Sequence, residues 1–189
     1  MIYLTDKEQL EQLAHDEGIP IDYVDFTGNR LCGLYIDGSI AIKKGMNTSK
    51  TTDVLAEELG HHFTTVGNII EMQNESDIKQ ERTARLWAYD KRIGLQSLIK
   101  AYKHGCQDLH STADFLNVTE EFLQDAIDCY REKYGEKVVV DEYTIQFEPH
   151  LQVISPYDEV IIVYTRNRKN ISREEKMRLA RIILSDDED

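Results

Sequence analysis

Only three cysteines occur in the 189 residues, Cys32, Cys106 and Cys129. They are far apart and odd in number, and they form no CxxC pair. They therefore make no disulfide framework, and three packed or partly buried thiols are expected. No apolar run approaches the ~20 residues that span a bilayer. The first eight residues, Met1 to Glu8, carry neither the basic flank nor the apolar stretch of a secretory signal. These absences give the expectation of a cytoplasmic chain with no membrane contact. Basic residues are scarce as well: 22 Lys and Arg stand against 35 Asp and Glu, a net charge of −13. Such a chain repels phosphate backbones, which argues against direct nucleic-acid binding. It suits a basic protein partner or a divalent cation. Internal repeats and low-complexity linkers are also missing.

The chain is long enough for one domain with a proper core, or for a small core with a satellite. Its 41% hydrophobic content fits a globular fold. Residues 5–17 read as a helix, with Leu10, Leu13 and Ala14 on one face and Gly18 and Pro20 beyond its end. Residues 19–26, 33–36 and 39–42 read as strands, the last two joined by the two-residue hairpin signal Asp37-Gly38. Asn47-Thr48-Ser49-Lys50 offers N-cap chemistry for a helix over about 50–65, with Val54, Leu55, Leu59 and Phe63 as its apolar face and Gly67-Asn68 as its stop.

Residues 72–79 read as a polar loop, and 80–102 as one long helix closed by Gly105. Two helices follow, 111–116 and 119–134, split at Asn117-Val118, with Thr119 as N-cap and Glu120 and Glu121 in the first turn. Strands are expected at 137–140, 143–147 and 159–164, and a last helix at 172–184. The acidic end, Asp186-Asp187-Glu188-Asp189, reads as a frayed, solvated tail. The expected class is α+β, a small twisted sheet packed on a helical bundle. The stretch Pro149 to Pro156 is the expected seam, dividing a main domain of residues 1–155 from a strand-helix appendage of residues 156–189.

One string carries chemistry: Leu55-Ala56-Glu57-Glu58-Leu59-Gly60-His61-His62. In a zinc-peptidase helix the pattern is His-Glu-x-x-His. Two ligands four residues apart share one face, and the Glu beside the first is the general base. Here His61 holds the second ligand position and Glu58 the base position, while Glu57 stands where the first His would be. A carboxylate oxygen ligates zinc at the same kind of distance as an imidazole nitrogen, so Glu-Glu-x-x-His keeps the i, i+4 geometry. By itself the spacing also suits a solvated helix face. Gly60 inside a helix costs about 1 kcal/mol relative to Ala and implies a packing reason. Glu81, at the start of the next long helix, is placed to bring a third ligand.

His62 points about 100° away from His61 around the helix and reads as packing or as an outer support of the site. Trp87 reads as core, and His104, His110 and His150 as ordinary surface residues. The helical pair at 111–134 has the outline of a helix-turn-helix, but Asp108, Asp114, Glu120, Glu121, Asp125 and Asp128 give it the wrong sign for a DNA groove.

Taken in order, the string at 55–62, Thr64-Thr-Val-Gly-Asn-Ile, Glu81-Arg-Thr-Ala-Arg-Leu-Trp-Ala and Val118-Thr-Glu-Glu-Phe-Leu resemble the ImmA/IrrE family of metallopeptidases, in particular its Firmicute prophage branch. The resemblance covers about residues 18–149. It implies a zincin-like core, a divalent metal (zinc, or manganese, with a site that can be empty) held by Glu57, His61 and Glu81, and Glu58 as base. It also implies a phage-type repressor protein as substrate or binding partner. The departure at Glu57 keeps two functions open: an endopeptidase that inactivates a repressor of a prophage or mobile genetic element, and a non-catalytic antirepressor or pseudo-peptidase that binds through the same cleft.

Overall fold

The computed structural model describes residues 4–26, 31–64 and 75–156, with Ser172 and Glu174, and of 75–77 only the backbone. The expected strand at 159–164, the helix at 172–184 and the acidic tail lie outside the described residues, as do Gly67 and Asn68. The chain divides into two compact units, Met1–Glu132 and Lys133–Asp189.

In the first unit, helix α1 (Asp6–Asp16) starts at a capping box. The Thr5 hydroxyl accepts the Glu8 N–H, and the Glu8 carboxylate accepts the Thr5 N–H at 2.7 Å. Leu10 and Ala14 bury its inner face. The chain then enters a three-stranded sheet of β1 (Ile21–Val24), β2 (Gly33–Ile36) and β3 (Ser39–Lys43), in the order β1-β3-β2. β1 runs parallel to β3 and β2 antiparallel to it, with Ile36 opposite Ser39. Asp37 and Gly38 take φ values of 48° and 77°, the left-handed pair that a tight two-residue hairpin requires. β1 is shorter than its apolar run suggests. Ile19 is buried, but its N–H closes the end of α1 on the Ala14 carbonyl at 2.8 Å.

Helix α2 (Thr48–Thr64) is capped by Asn47, whose side-chain oxygen accepts the Lys50 N–H at 2.8 Å. Val54, Leu55, Ala56 and Leu59 are buried on it, and β2 and β3 pack against it. Phe63 was expected on the same apolar face; it is exposed and instead stacks on the half-buried Trp87, ring centroids 5.0 Å apart.

The helix expected over 80–102 is two helices. α3 (Glu75–Arg92) and α4 (Gly94–His104) are separated at Ile93, because Gly94 takes a left-handed φ of 62°. α3 also begins earlier than expected, so 75–79 is helix rather than loop. Polar composition does not oppose a helix when it includes Glu, Lys and Gln, which are good helix formers. α5 (Leu109–Leu116) and α6 (Glu120–Tyr134) follow, divided at Asn117, which is left-handed at φ 53°.

Arg92 ties these helices together. Its buried guanidinium donates to Asp6 Oδ2 at 2.7 Å on α1, to Asp53 Oδ1 at 3.3 Å on α2, and to the Asn117 carbonyl at 2.6 Å before α6. The other Asp53 oxygen accepts the Thr119 N–H at 2.9 Å. A planar, five-donor cation can satisfy three acceptors at once, which makes burial of this charge tolerable.

In the second unit β4 (Lys137–Val140), β5 (Tyr143–Gln146) and β6 (Gln152–Ile154) form an antiparallel sheet in that order. Tyr143, Ile145, Phe147 and Val153 are its buried apolar side chains among the described residues. The stretch Pro149 to Pro156, expected as a seam, contains β6 hydrogen-bonded to β5, and the division between units falls at Glu132 and Lys133. The fold class is α+β. No helix among the described residues is long and apolar enough to cross a membrane.

Candidate metal and acid-base site

Two glycines shape the region around Glu57, Glu58 and His61. Gly60 faces the Ala84 backbone on α3; a Cβ there would sit 3.0 Å from the Ala84 carbonyl carbon and closer still to its oxygen. The packing reason expected for a helical glycine is therefore present: α2 and α3 approach backbone to side-chain-free backbone. Gly33 on β2 likewise leaves room for the Glu58 side chain and Val54, which a Cβ would overlap.

The close helix approach brings His61 and Glu81 together across α2 and α3. His61 Nε2 lies 3.4 Å from Glu81 Oε2. That is long for a charge-assisted hydrogen bond, for which about 2.7–2.9 Å is usual. It matches the spacing of two donors on one tetrahedral ion, about 3.3–3.4 Å for bonds of about 2.0–2.1 Å. The other Glu81 oxygen, Oε1, accepts from Arg85 Nε at 2.7 Å. Burial lowers the His61 pKa and the nearby Arg85 adds to that, while Glu81 opposes it. The ring is therefore disposed to be neutral, the form that ligates a metal.

Glu58 is buried between α2 and β2. Burial pushes its carboxyl up to about 8, Glu57 and Glu81 push in the same direction, and the Tyr35 backbone N–H, which donates to it, works against them. The Tyr35 hydroxyl reaches one turn further along α2 to His62 Nδ1 at 2.9 Å, and the two rings meet edge to face. His62 thus packs against β2, as expected, and takes no part in the pair formed by His61.

Glu57 is part-buried. Burial lifts its carboxyl to about 7 against the pull of Arg85 and Lys50, with Asp53 and Glu81 adding to the rise. Neither acid behaves as part of a freely solvated face, where no such shift would arise. Among the described residues no group of three or more His, Cys, Asp and Glu side chains is gathered closely enough to hold one ion. The expected trio is represented by the pair His61 and Glu81, with Glu57 one helical turn before His61. Two carboxylates without a cation between them repel, which disfavours bringing Glu57 up to Glu81. An imidazole and a carboxylate 3.4 Å apart, with a second carboxylate one turn away, are donor types that a divalent metal such as zinc accepts.

Three contributors are absent from the sequence expectations, and one of them carried a signal that could have found it. Arg85 stands four residues after Glu81, so its ion pair was legible as an i, i+4 partner. The Tyr35 N–H and the space at Gly33 had no sequence signal, since both depend on where β2 lies beside α2. His110 is exposed and pairs with Glu120 and Asp114, and His104 stacks on Phe115, so neither joins the site. Comparison of the chain with models of protein families, with curated proteins and with solved structures finds no match.

Proposed function

We propose that the chain is a metal-dependent endopeptidase of the ImmA/IrrE kind, with a zincin-like core, that inactivates a repressor protein of a prophage or mobile genetic element. The observation that carries this reading is the 3.4 Å separation of His61 Nε2 and Glu81 Oε2, with the buried Glu58 on the same helix as His61. A divalent ion at this place would supply Lewis-acid polarisation of a peptide carbonyl and make water a better nucleophile. His61 and Glu81 would hold it, joined by Glu57.

Glu58 is the group that takes the proton from the attacking water and returns it to the leaving amine. A carboxyl raised to about 8 by burial suits the returning step, and a cation nearby would favour the ionised form needed for the first. β2 lies at the end of its sheet beside Glu58, where an extended peptide could run past the base.

A second reading, the non-catalytic antirepressor, is favoured by one observation: Glu57 is not gathered with His61 and Glu81 among the described residues. Zinc titration by calorimetry and incubation with a phage-type repressor separate the two. The peptidase reading expects zinc uptake by the parent chain, its loss in His61→Ala, and cleavage abolished in Glu58→Gln with uptake retained. Repressor binding without cleavage, unchanged by Glu58→Gln, would leave the antirepressor.

A further inference from the structure

We propose that Arg85 is a positioning residue for Glu81, holding one carboxylate oxygen so that the other stays turned toward His61. This inference rests on the metal-site reading above and adds to it a residue that supports a ligand without being one.

The geometry divides the Glu81 carboxylate between two partners. Oε1 accepts from Arg85 Nε at 2.7 Å, and Oε2 faces His61 Nε2 at 3.4 Å. Glu81 is part-exposed and has several rotatable bonds, so an untethered carboxylate would spend much of its time in solvent, and ordering it costs side-chain entropy. Arg85 shares the helix with Glu81 one turn on, with the acid on the N-terminal side, the favourable order for such a pair. The contact uses Nε, the donor nearest the aliphatic stem, so its direction is set by the helix more than by a long flexible arm. Carboxylate ligands held by an outer partner in this way lose metal affinity when that partner is removed, by about 10–100-fold.

A plain helix-stabilising ion pair has the same geometry, and the sign of the metal effect tells the two apart. Arg85 is a cation beside the site and disfavours positive charge at His61. If its effect were only that field, removing it would strengthen zinc binding. Positioning requires the reverse.

The test is zinc affinity by calorimetry, with cobalt absorption as a report on ligand geometry, for the parent, Arg85→Ala, Arg85→Lys and Arg82→Ala. Arg82 is on the same helix and pairs with Glu132, so its loss changes the charge without touching Glu81. Expected are a weakening of about tenfold or more in Arg85→Ala, a smaller loss with an altered cobalt spectrum in Arg85→Lys, and parent-like affinity in Arg82→Ala. Equal or tighter zinc binding in Arg85→Ala would overturn the assignment while leaving the metal site standing. A parent chain that takes up neither zinc nor cobalt would overturn both. Should Arg85→Ala fail to fold, parent-like affinity and spectrum in Arg85→Lys would overturn it instead.

Discussion

Gly60 on α2 and Ala84 on α3 meet with the Ala84 carbonyl pressed into the space a side chain would need at position 60. The next residue on α2 is His61, and three residues before Ala84 is Glu81, so this contact sets the separation of the two donors. Helix propensity alone would make Gly60→Ala stabilising by about 1 kcal/mol. Because backbone cannot yield as a flexible side chain can, the expected outcome is the opposite: a loss of about 1–3 kcal/mol in urea unfolding, with weaker zinc binding as His61 and Glu81 separate. A stabilised variant with parent zinc affinity would show that the helices are free to part.

Stability should fall as pH rises through neutrality. The carboxyls of Glu58 and Glu57 stand at about 8 and about 7 in the folded chain, raised chiefly by burial, against about 4.3 when unfolded. Between those values the folded state keeps protons that the unfolded state has released, so unfolding becomes easier with increasing pH. The contribution is complete below about pH 4.3 and is lost as pH climbs to about 8. Chelated protein melted at about pH 6 and about pH 8.5 should show a drop of at least about 1 kcal/mol, or roughly 2–4 °C in Tm. Glu58→Gln cannot ionise and should flatten the slope. An unchanged slope in that variant would assign the pH dependence elsewhere.

Glu57→His should tighten zinc by about tenfold or more, because an imidazole replaces a hard oxygen ligand. With two carboxylates and one histidine the site with its ion has net charge 0, and with two histidines and one carboxylate +1. The substitution should therefore also favour ionised water and raise any cleavage rate. Calorimetric titration of both chains decides it, since equal or weaker affinity in the variant would remove Glu57 from the ligand set.

Arg92→Ala should cost about 3–5 kcal/mol, measured by denaturant unfolding. The loss leaves Asp53 buried with Thr119 as its remaining hydrogen-bond partner and frees the Asn117 carbonyl and Asp6. Arg92→Lys should recover little, since one ammonium cannot match a guanidinium that serves three acceptors from Nε, Nη1 and Nη2. A cost under about 1 kcal/mol would mean that water replaces the guanidinium without strain.

What the sequence determined by itself is local. The Thr5 and Glu8 capping box, the Asp37-Gly38 hairpin, the Asn47 cap and the break at Asn117 each depend on residues within about four positions, and hydrogen bonds at that range form wherever the chain folds. Glu57, Glu58 and His61 were legible as a group for the same reason, because helical spacing alone puts positions i and i+4 on one face. The polar stretch 75–79 and the break at Gly94 were misread because polarity marks neither loop nor helix, and a single glycine tells nothing of its φ.

Only the tertiary structure decided what surrounds the group. The 3.4 Å approach of His61 to Glu81 depends on Gly60 meeting Ala84. The raised carboxyl of Glu58 depends on β2 covering it, and the burial of Asp53 depends on Arg92, 39 residues away. Such relations arise from packing between distant segments, where a change of one ångström alters desolvation and Coulomb energy steeply, and no spacing rule along the chain encodes them.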